Sequence, residues 1–256
     1  MTQRTLKAAK EIEKNCKLLA SKHELIAICE NKYLMYKHFE GKIEVPEFYL
    51  VKTMSELIKA AETLGYPEKD VVFKPPEGKG ARGVRVLTEK SNRYDLLFKG
   101  RPFAKYISMD ELKSTVGKRQ IPELMVMEYL DGVELKIDPV LQNGEILTCS
   151  VKNRLNFASG LAMGFEMIED DTALNYAEKL LEHLPMDYCI DISTRGGVLM
   201  EINPRVSTYI YSEKYCAPYL ALKLAMDEVS PEEVREYQKK LPIGKKMFRY
   251  YGQIDY

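Results

Sequence analysis

The sequence has no net charge: 38 basic side chains balance 38 acidic ones over 256 residues. No overall field exists to recruit nucleic acid or an anionic membrane, although local basic loops can still bind phosphate. Cysteine is sparse and scattered. Cys16, Cys29, Cys149, Cys189 and Cys216 are odd in number and contain no CxxC pair. That argues against a disulfide framework and a thiolate zinc site, and it fits a reducing, cytoplasmic compartment. His23, His38 and His183 are equally scattered and read as surface or packing residues. No apolar run reaches the roughly 18 residues of a membrane helix, and the N-terminal stretch MTQRTLKAAKEIEKN is too polar for a signal peptide. Gly-Lys-Ser/Thr is absent, which excludes a Walker A loop, and no nucleophilic triad is visible.

What is present is enough chain for one large domain or two small ones. Residues 4 to 20 have helical character, and a second helix is expected over Asn31 to Phe39. Val45 to Val51 reads as a strand, and Thr53 or Ser55 can cap the helix SELIKAAETLG, which Gly65 ends. Short strands at Val71 to Phe73 and Val84 to Leu87 flank a glycine-rich segment. Residues 91 to 122 form a mixed, basic connection containing a helix, and a strand follows at Leu124 to Tyr129. Val133 to Val140 and Glu145 to Val151 read as a hairpin around Gln142-Asn143-Gly144. After a helix over Thr172 to His183, a second hairpin pairs DYCIDIS with VLMEIN across Thr194 to Gly197. Two helices close the chain, the second opening on Ser230-Pro231-Glu232-Glu233. Hairpins alternate with helices, without a regular strand–helix repeat, so the fold class is α+β.

The most informative stretch is Met200-Glu201-Ile202-Asn203-Pro204-Arg205. Side chains two apart in a strand share a face, so Glu201 and Asn203 point together, roughly 7 Å apart along the backbone. A carboxylate and an amide carbonyl are hard oxygen ligands, suited to Mg²⁺ alongside phosphate and water oxygens. Pro204 ends the ladder, and Arg205 adds a permanent cation at the rim. The plain alternative is a solvated strand end. Gly78, Gly80 and Gly83 satisfy G-x-G-x-x-G, but Val84-Arg85-Val86-Leu87 follows as a strand, where a dinucleotide fingerprint needs a helix. What remains is a glycine hairpin with Lys79 and Arg82 at its tip and Lys74 at its base, able to turn amide N–H groups toward phosphate or simply a mobile turn. Glu134, Lys136 and Asp138 alternate onto one strand face, which reads equally as a cleft wall or a solvated face.

Four blocks in order carry a family resemblance: ELIAICENKYLMYKHFEGKIEVP, FKPPEGKGARGVRVL, MVMEYLDGVEL and DYCIDISTRGGVLMEINPRVS. Together they resemble the ATP-grasp superfamily, nearest in pattern to the ATP-binding domains of carbamoyl-phosphate synthetase and biotin carboxylase. The resemblance implies an ATP-grasp fold, in which two α+β subdomains hold ATP between them. It implies a lead-in over residues 1–30 that is a remnant of a preceding Rossmann-like domain, a central part over 31–130, and a C-terminal part over 131–256. It further implies an ATP- and Mg²⁺- (or Mn²⁺-) dependent ligase joining a small-molecule carboxylate to an amine or thiol through an acyl phosphate. The alternative is an ATP-binding subunit completed by a partner that supplies the front domain. No nucleic acid or membrane partner is implied, and self-association is left open.

By the same resemblance, Lys32 and Lys74 are the nucleotide lysines, and Gly78, Lys79, Gly80, Ala81 and Gly83 close over the phosphates. The backbone of Met127, Glu128, Tyr129 and Leu130 reads adenine beside an apolar strand, and Glu134 takes the ribose hydroxyls. Asp187, Glu201 and Asn203 match the metal ligands, with Asp191, on the same strand face as Asp187, the open alternative for the first. Arg205 matches the anion-contacting arginine, and Lys152 and Arg154 lie where some members contact the terminal phosphate or the substrate. Glu77 and Lys79 stand where close relatives place glycine.

Overall fold

The computed structural model describes residues 8–9, 11–78, 80–90, 94, 98, 105–155, 157–158, 161–250 and 252. The chain divides into two compact units, Pro46–Asp131 and the pair of segments Met1–Val45 and Gly132–Tyr256. Residues 31–45 therefore group with the C-terminal segment, not with the central part expected for them.

Within the described part of the N-terminal segment, the first helix stops early. Asn15 and Cys16 both donate to the Ile12 carbonyl as its last turn closes. Helix α1 (His23–Glu30) follows, and then α2 (Lys32–Phe39), whose N-cap Asn31 accepts from the amides of Tyr33 and Leu34. Helix α1 had no sequence signal at its start, because Lys22 offers no side-chain cap.

The unit Pro46–Asp131 contains β1 (Phe48–Val51), α3 (Met54–Thr63), β2 (Val71–Lys74), β3 (Arg85–Leu87), β4 (Tyr106–Ile107), α4 (Met109–Val116) and β5 (Leu124–Glu128). Thr53 and Glu56 close a capping box at the start of α3. The strands order as β1-β5-β2-β3-β4. Alternation along β2 and β5 sends Val71, Phe73, Leu124 and Val126 into one core with Leu57, Ala60 and Ala61 of α3 and Met109 and Leu112 of α4. Each such buried aliphatic or aromatic side chain contributes roughly 1.5–3 kcal/mol. On the other face Lys74 stands opposite Met125 across the ladder. The loop joining β2 to β3 has positive φ at Gly80, Ala81 and Gly83. Glycine is needed at Gly83, where φ is +76° and an added Cβ would stand 2.9 Å from Pro75 Cδ.

The other unit continues with β6 (Glu134–Gln142), β7 (Glu145–Arg154), β8 (Phe157–Ala158), β9 (Leu161–Ala162), β10 (Gly164–Ile168), α5 (Asp171–His183), β11 (Tyr188–Cys189), β12 (Asp191–Arg195), β13 (Val198–Asn203), α6 (Ala217–Ala225), α7 (Pro231–Glu236), a 3-10 turn (Tyr237–Lys240) and β14 (Lys246–Phe248). Its main sheet runs β13-β12-β6-β7-β10-β14, with β11 also on β6. The β6–β7 turn uses Asn143 and Gly144, both at positive φ, as an Asn-Gly hairpin requires. Ile202, Ile192, Ile137 and Val151 pair in succession across four strands and are all buried. Helix α5 packs against β6 and β7.

Two irregularities set the register of this sheet. Pro139 has no N–H to donate, and the ladder beside it breaks at Ile190, between β11 and β12. Between β12 and β13 the register shifts at Ser193 and Thr194, so that Ser193 pairs with Glu201 while Thr194 pairs with Leu199. Met200 is the extra residue of that bulge, and its carbonyl accepts from Tyr36 Oη at 2.8 Å, tying α2 to β13. The turn itself is only Gly196-Gly197, both at positive φ, so Thr194 and Arg195 belong to the strand.

Candidate functional site

The polar face of this sheet is built from rows of side chains that the registers align. Asn203 pairs with Asp191, and Asp138 with Ser150. Glu201 pairs with Ser193, Ser193 with Lys136, and Lys136 with Lys152. Arg195 pairs with Glu134 in a further row. Strand alternation puts all of these on the face opposite the isoleucine row.

Asp191, Glu201 and Asn203 meet at one end of that face. Asn203 Nδ2 lies 3.1 Å from Glu201 Oε1 and 3.4 Å from Asp191 Oδ2. Asp191 is almost fully buried, and the ammonium of Lys136 lies 3.0 and 3.3 Å from its two oxygens. The same ammonium is 3.9 Å from Glu201 Oε1 and hydrogen-bonds Ser193 Oγ. Arg205 Nη1 stands 3.6 Å from Asp191 Oδ2 and also donates to the Val206 carbonyl. Among the described residues no three His, Cys, Asp or Glu side chains gather at a point. The donor set is therefore two carboxylates and one amide. Those hard oxygens fit Mg²⁺ only with further oxygens from phosphate or water, and turning the Asn203 amide over presents Oδ1 in place of Nδ2.

Lys152 lies deeper, with its side chain 0% exposed. Its ammonium is 2.7 Å from Asp138 Oδ2, donates to the Thr208 carbonyl at 2.6 Å, and lies 5.2 Å from the centroid of the Phe165 ring. Burial pushes the Asp138 carboxyl up, to about 6, with the nearby Asp191 charge adding to the rise and Lys152 opposing it. The folded protein thus retains a proton that the unfolded chain releases above its ordinary 3.8. This stabilising contribution is complete below that value and is lost as pH rises through the folded one. We expect Asp138→Asn to flatten the fall in stability between about pH 4 and pH 6, as read from urea unfolding across that range. A variant with the wild-type slope would rule out Asp138 as its source.

Several expected site residues lie elsewhere or are otherwise engaged. Asp187 is not brought to Glu201 and Asn203: its Oδ1 accepts from the Asn143 amide at 2.5 Å, beside the β6–β7 turn, and its backbone is bonded to Ser21 Oγ. Asp191 takes the position facing Asn203, because the Met200 bulge and two-residue turn make the hairpin shorter than the spacing from Asp187 assumes. Glu134 is ion-paired through one oxygen to Arg154 and through the other to Arg195 at 2.8 Å, so both oxygens are occupied within the protein. Lys152 has no exposed surface to offer a phosphate or substrate. Lys32 is the first residue of α2, one turn before Tyr36. In the other unit, Lys74 ends β2, while Gly78, Gly80, Ala81 and Gly83 line an exposed loop, and Lys79 lies outside the described residues. Met127 and Glu128 end β5, Tyr129 and Leu130 follow it, and the Glu128 carboxylate accepts from the Glu47 amide at 3.0 Å. The apolar β5 side chains expected to wall the adenine are buried, and Leu124 and Val126 belong to the unit's own core. Lys136, Ser193 and Arg195 carry no motif that marks them as site residues; alternation places Lys136 on the right face, but only strand pairing reveals its neighbours.

A family model described as ATP-grasp in the biosynthetic pathway with Ter operon matches residues 120–245. The carbamoyl phosphate synthase large chain of Thermomicrobium roseum is 25% identical over 170 residues, covering 61% of this chain and 14% of that one. The corresponding chain of Pseudothermotoga lettingae is 30% identical over 146 residues, covering 56% and 12%. The chain thus spans only a small fraction of the length of these curated relatives. In fold it resembles carboxyaminoimidazole ribonucleotide synthase from Aspergillus clavatus complexed with ATP, with a TM-score of 0.65 at 16% identity over 90% of this chain and 59% of that one. The sheet architecture, the order of the sequence blocks and these matches agree: the chain is similar to the ATP-grasp superfamily, most directly over residues 120–245.

Proposed function

We propose that this protein is an ATP- and Mg²⁺-dependent ligase that joins a small-molecule carboxylate to an amine through an acyl phosphate. The observation that carries this reading is the convergence of Asp191, Glu201 and Asn203 on one sheet face beside Arg205. A hard-oxygen set this small suits a divalent ion that arrives with polyphosphate, because the nucleotide supplies the missing ligands. The structural neighbour complexed with ATP and the synthase names of the relatives support the same class.

In this reading Asp191, Glu201 and Asn203 hold Mg²⁺, which when bound offsets phosphate charge at the transferring phosphoryl group. Lys74 and Lys32 neutralise phosphate oxygens, and the amides of Gly78–Gly83 cover them and exclude water. The backbone of Met127–Leu130 reads the adenine edge. Arg205, anchored through its own loop, orients the carboxylate or the terminal phosphate. Lys152 and Arg154 act at one remove: Lys152 holds the Thr208 carbonyl, and Arg154 holds Glu134.

The chemistry follows from positioning and charge neutralisation, without a protein nucleophile. A carboxylate oxygen attacks the γ-phosphorus and ADP leaves. The amine nitrogen then attacks the acyl carbon, phosphate leaves with the original carboxylate oxygen, and the nitrogen gives up its proton. Incubating the protein with MgATP, an amine and a panel of ¹⁸O-carboxylates tests this directly. One ¹⁸O transferred into inorganic phosphate per bond formed is expected; product with unlabelled phosphate would exclude the acyl phosphate.

A further inference from the structure

The two carboxylates proposed to hold metal already face a cation that belongs to the chain. Lys136 reaches from β6 across β12 toward β13, and its ammonium contacts Asp191, Ser193 and Glu201 together. Its side chain is 11% exposed, so bulk solvent does little to screen it. Arg205 adds a second positive charge 3.6 Å from Asp191 Oδ2. Among the described residues, two acids and two cations make the cluster locally neutral, which removes most of the field that would draw a free divalent ion. With no third acid in the group among the described residues, the protein alone is a poor cage for such an ion.

We propose that Lys136 is a built-in cation of this site: it takes the place of one of the ions the carboxylates would otherwise recruit, so the chain binds a single divalent ion, and only together with nucleotide. This rests on the nucleotide–metal reading above and settles its metal count. Lys136 is a positioning residue in this scheme. It fixes Asp191 through both oxygens and so holds Asp191 beside Glu201 and Asn203 for the one ion that enters.

The test counts Mn²⁺ on the full chain, stripped with chelator, by the loss of the free-ion electron paramagnetic resonance signal, with and without ATP. Wild type is expected to bind no Mn²⁺ below about 1 mM without nucleotide and one ion per chain with it. Lys136→Met is expected to gain nucleotide-free Mn²⁺ binding, tighter than wild type by roughly tenfold or more, and to hold two ions with ATP. Adding Glu201→Gln to that variant should abolish the gain, and Lys136→Arg should behave as wild type. Two ions on ATP-loaded wild type, or no tighter binding by Lys136→Met, would overturn the proposal. If Lys136→Met does not fold, the wild-type count still decides: one ion supports the proposal and two refute it. Failure of wild type to retain ATP with Mn²⁺ at all is a different result, which removes the nucleotide reading and this proposal with it.

Discussion

Glu201→Ala will lose most of the stabilisation that MgATP confers on the wild-type protein. A ligand at about 100 times its dissociation constant raises folding stability by roughly 2.7 kcal/mol, which a melting scan reads as a clear upward shift in Tm. Glu201 is a metal ligand in the proposed site and also carries the hydrogen bond that orients Asn203, so its removal takes two of three oxygen donors out of position. Its side chain is 39% exposed, so the substitution should leave the fold intact in the absence of nucleotide. Scans with ATP and chelator, with MgATP and with Mg²⁺ alone separate nucleotide from metal effects. Equal MgATP shifts in wild type and Glu201→Ala would show that this carboxylate holds no nucleotide-linked ion.

The second large effect is on stability. Lys152→Met leaves Asp138 buried without its partner and leaves the Thr208 carbonyl without its donor. Breaking a buried ion pair from one side typically costs about 3–5 kcal/mol, because the remaining charge is uncompensated. The raised carboxyl of Asp138 predicts how this cost varies with pH: it shrinks as pH falls and Asp138 takes up a proton, and it is largest above neutrality. Replacing both partners, with Asp138→Leu and Lys152→Met, should recover most of the loss. Urea unfolding at pH 5 and pH 8 measures both effects. A single variant as stable as wild type at pH 8 would contradict the geometry of the pair.

Local signals in the sequence located most elements. Thr53 with Glu56 and Ser230 with Glu233 form the capping boxes their spacing advertises. Asn143-Gly144 and Gly196-Gly197 turn the two hairpins, and the strand beginning at Arg85 explains why the G-x-G-x-x-G match is not a dinucleotide fingerprint. Period-two alternation put Glu134, Lys136 and Asp138 on one face before any pairing was known. What alternation cannot supply is register. The choice between Asp187 and Asp191 depends on a bulge at Met200, inside the β12–β13 hairpin, and on the ladder break opposite Pro139 of the distant β6, and neither leaves a period-two signal. The burial of Lys152 has the same origin, since a lysine near a strand end reads as solvated until Asp138 is paired beside it. Helix α1 lacks a capping side chain and is held by tertiary packing, which no local window records.

Isothermal titration of ATP into the purified chain, with Mg²⁺ and then with chelator, is the most direct test of the account. One nucleotide per chain, bound with Mg²⁺ and much more weakly without it, is the predicted result. A protein that takes up no heat from ATP at millimolar concentration with Mg²⁺ present would contradict it.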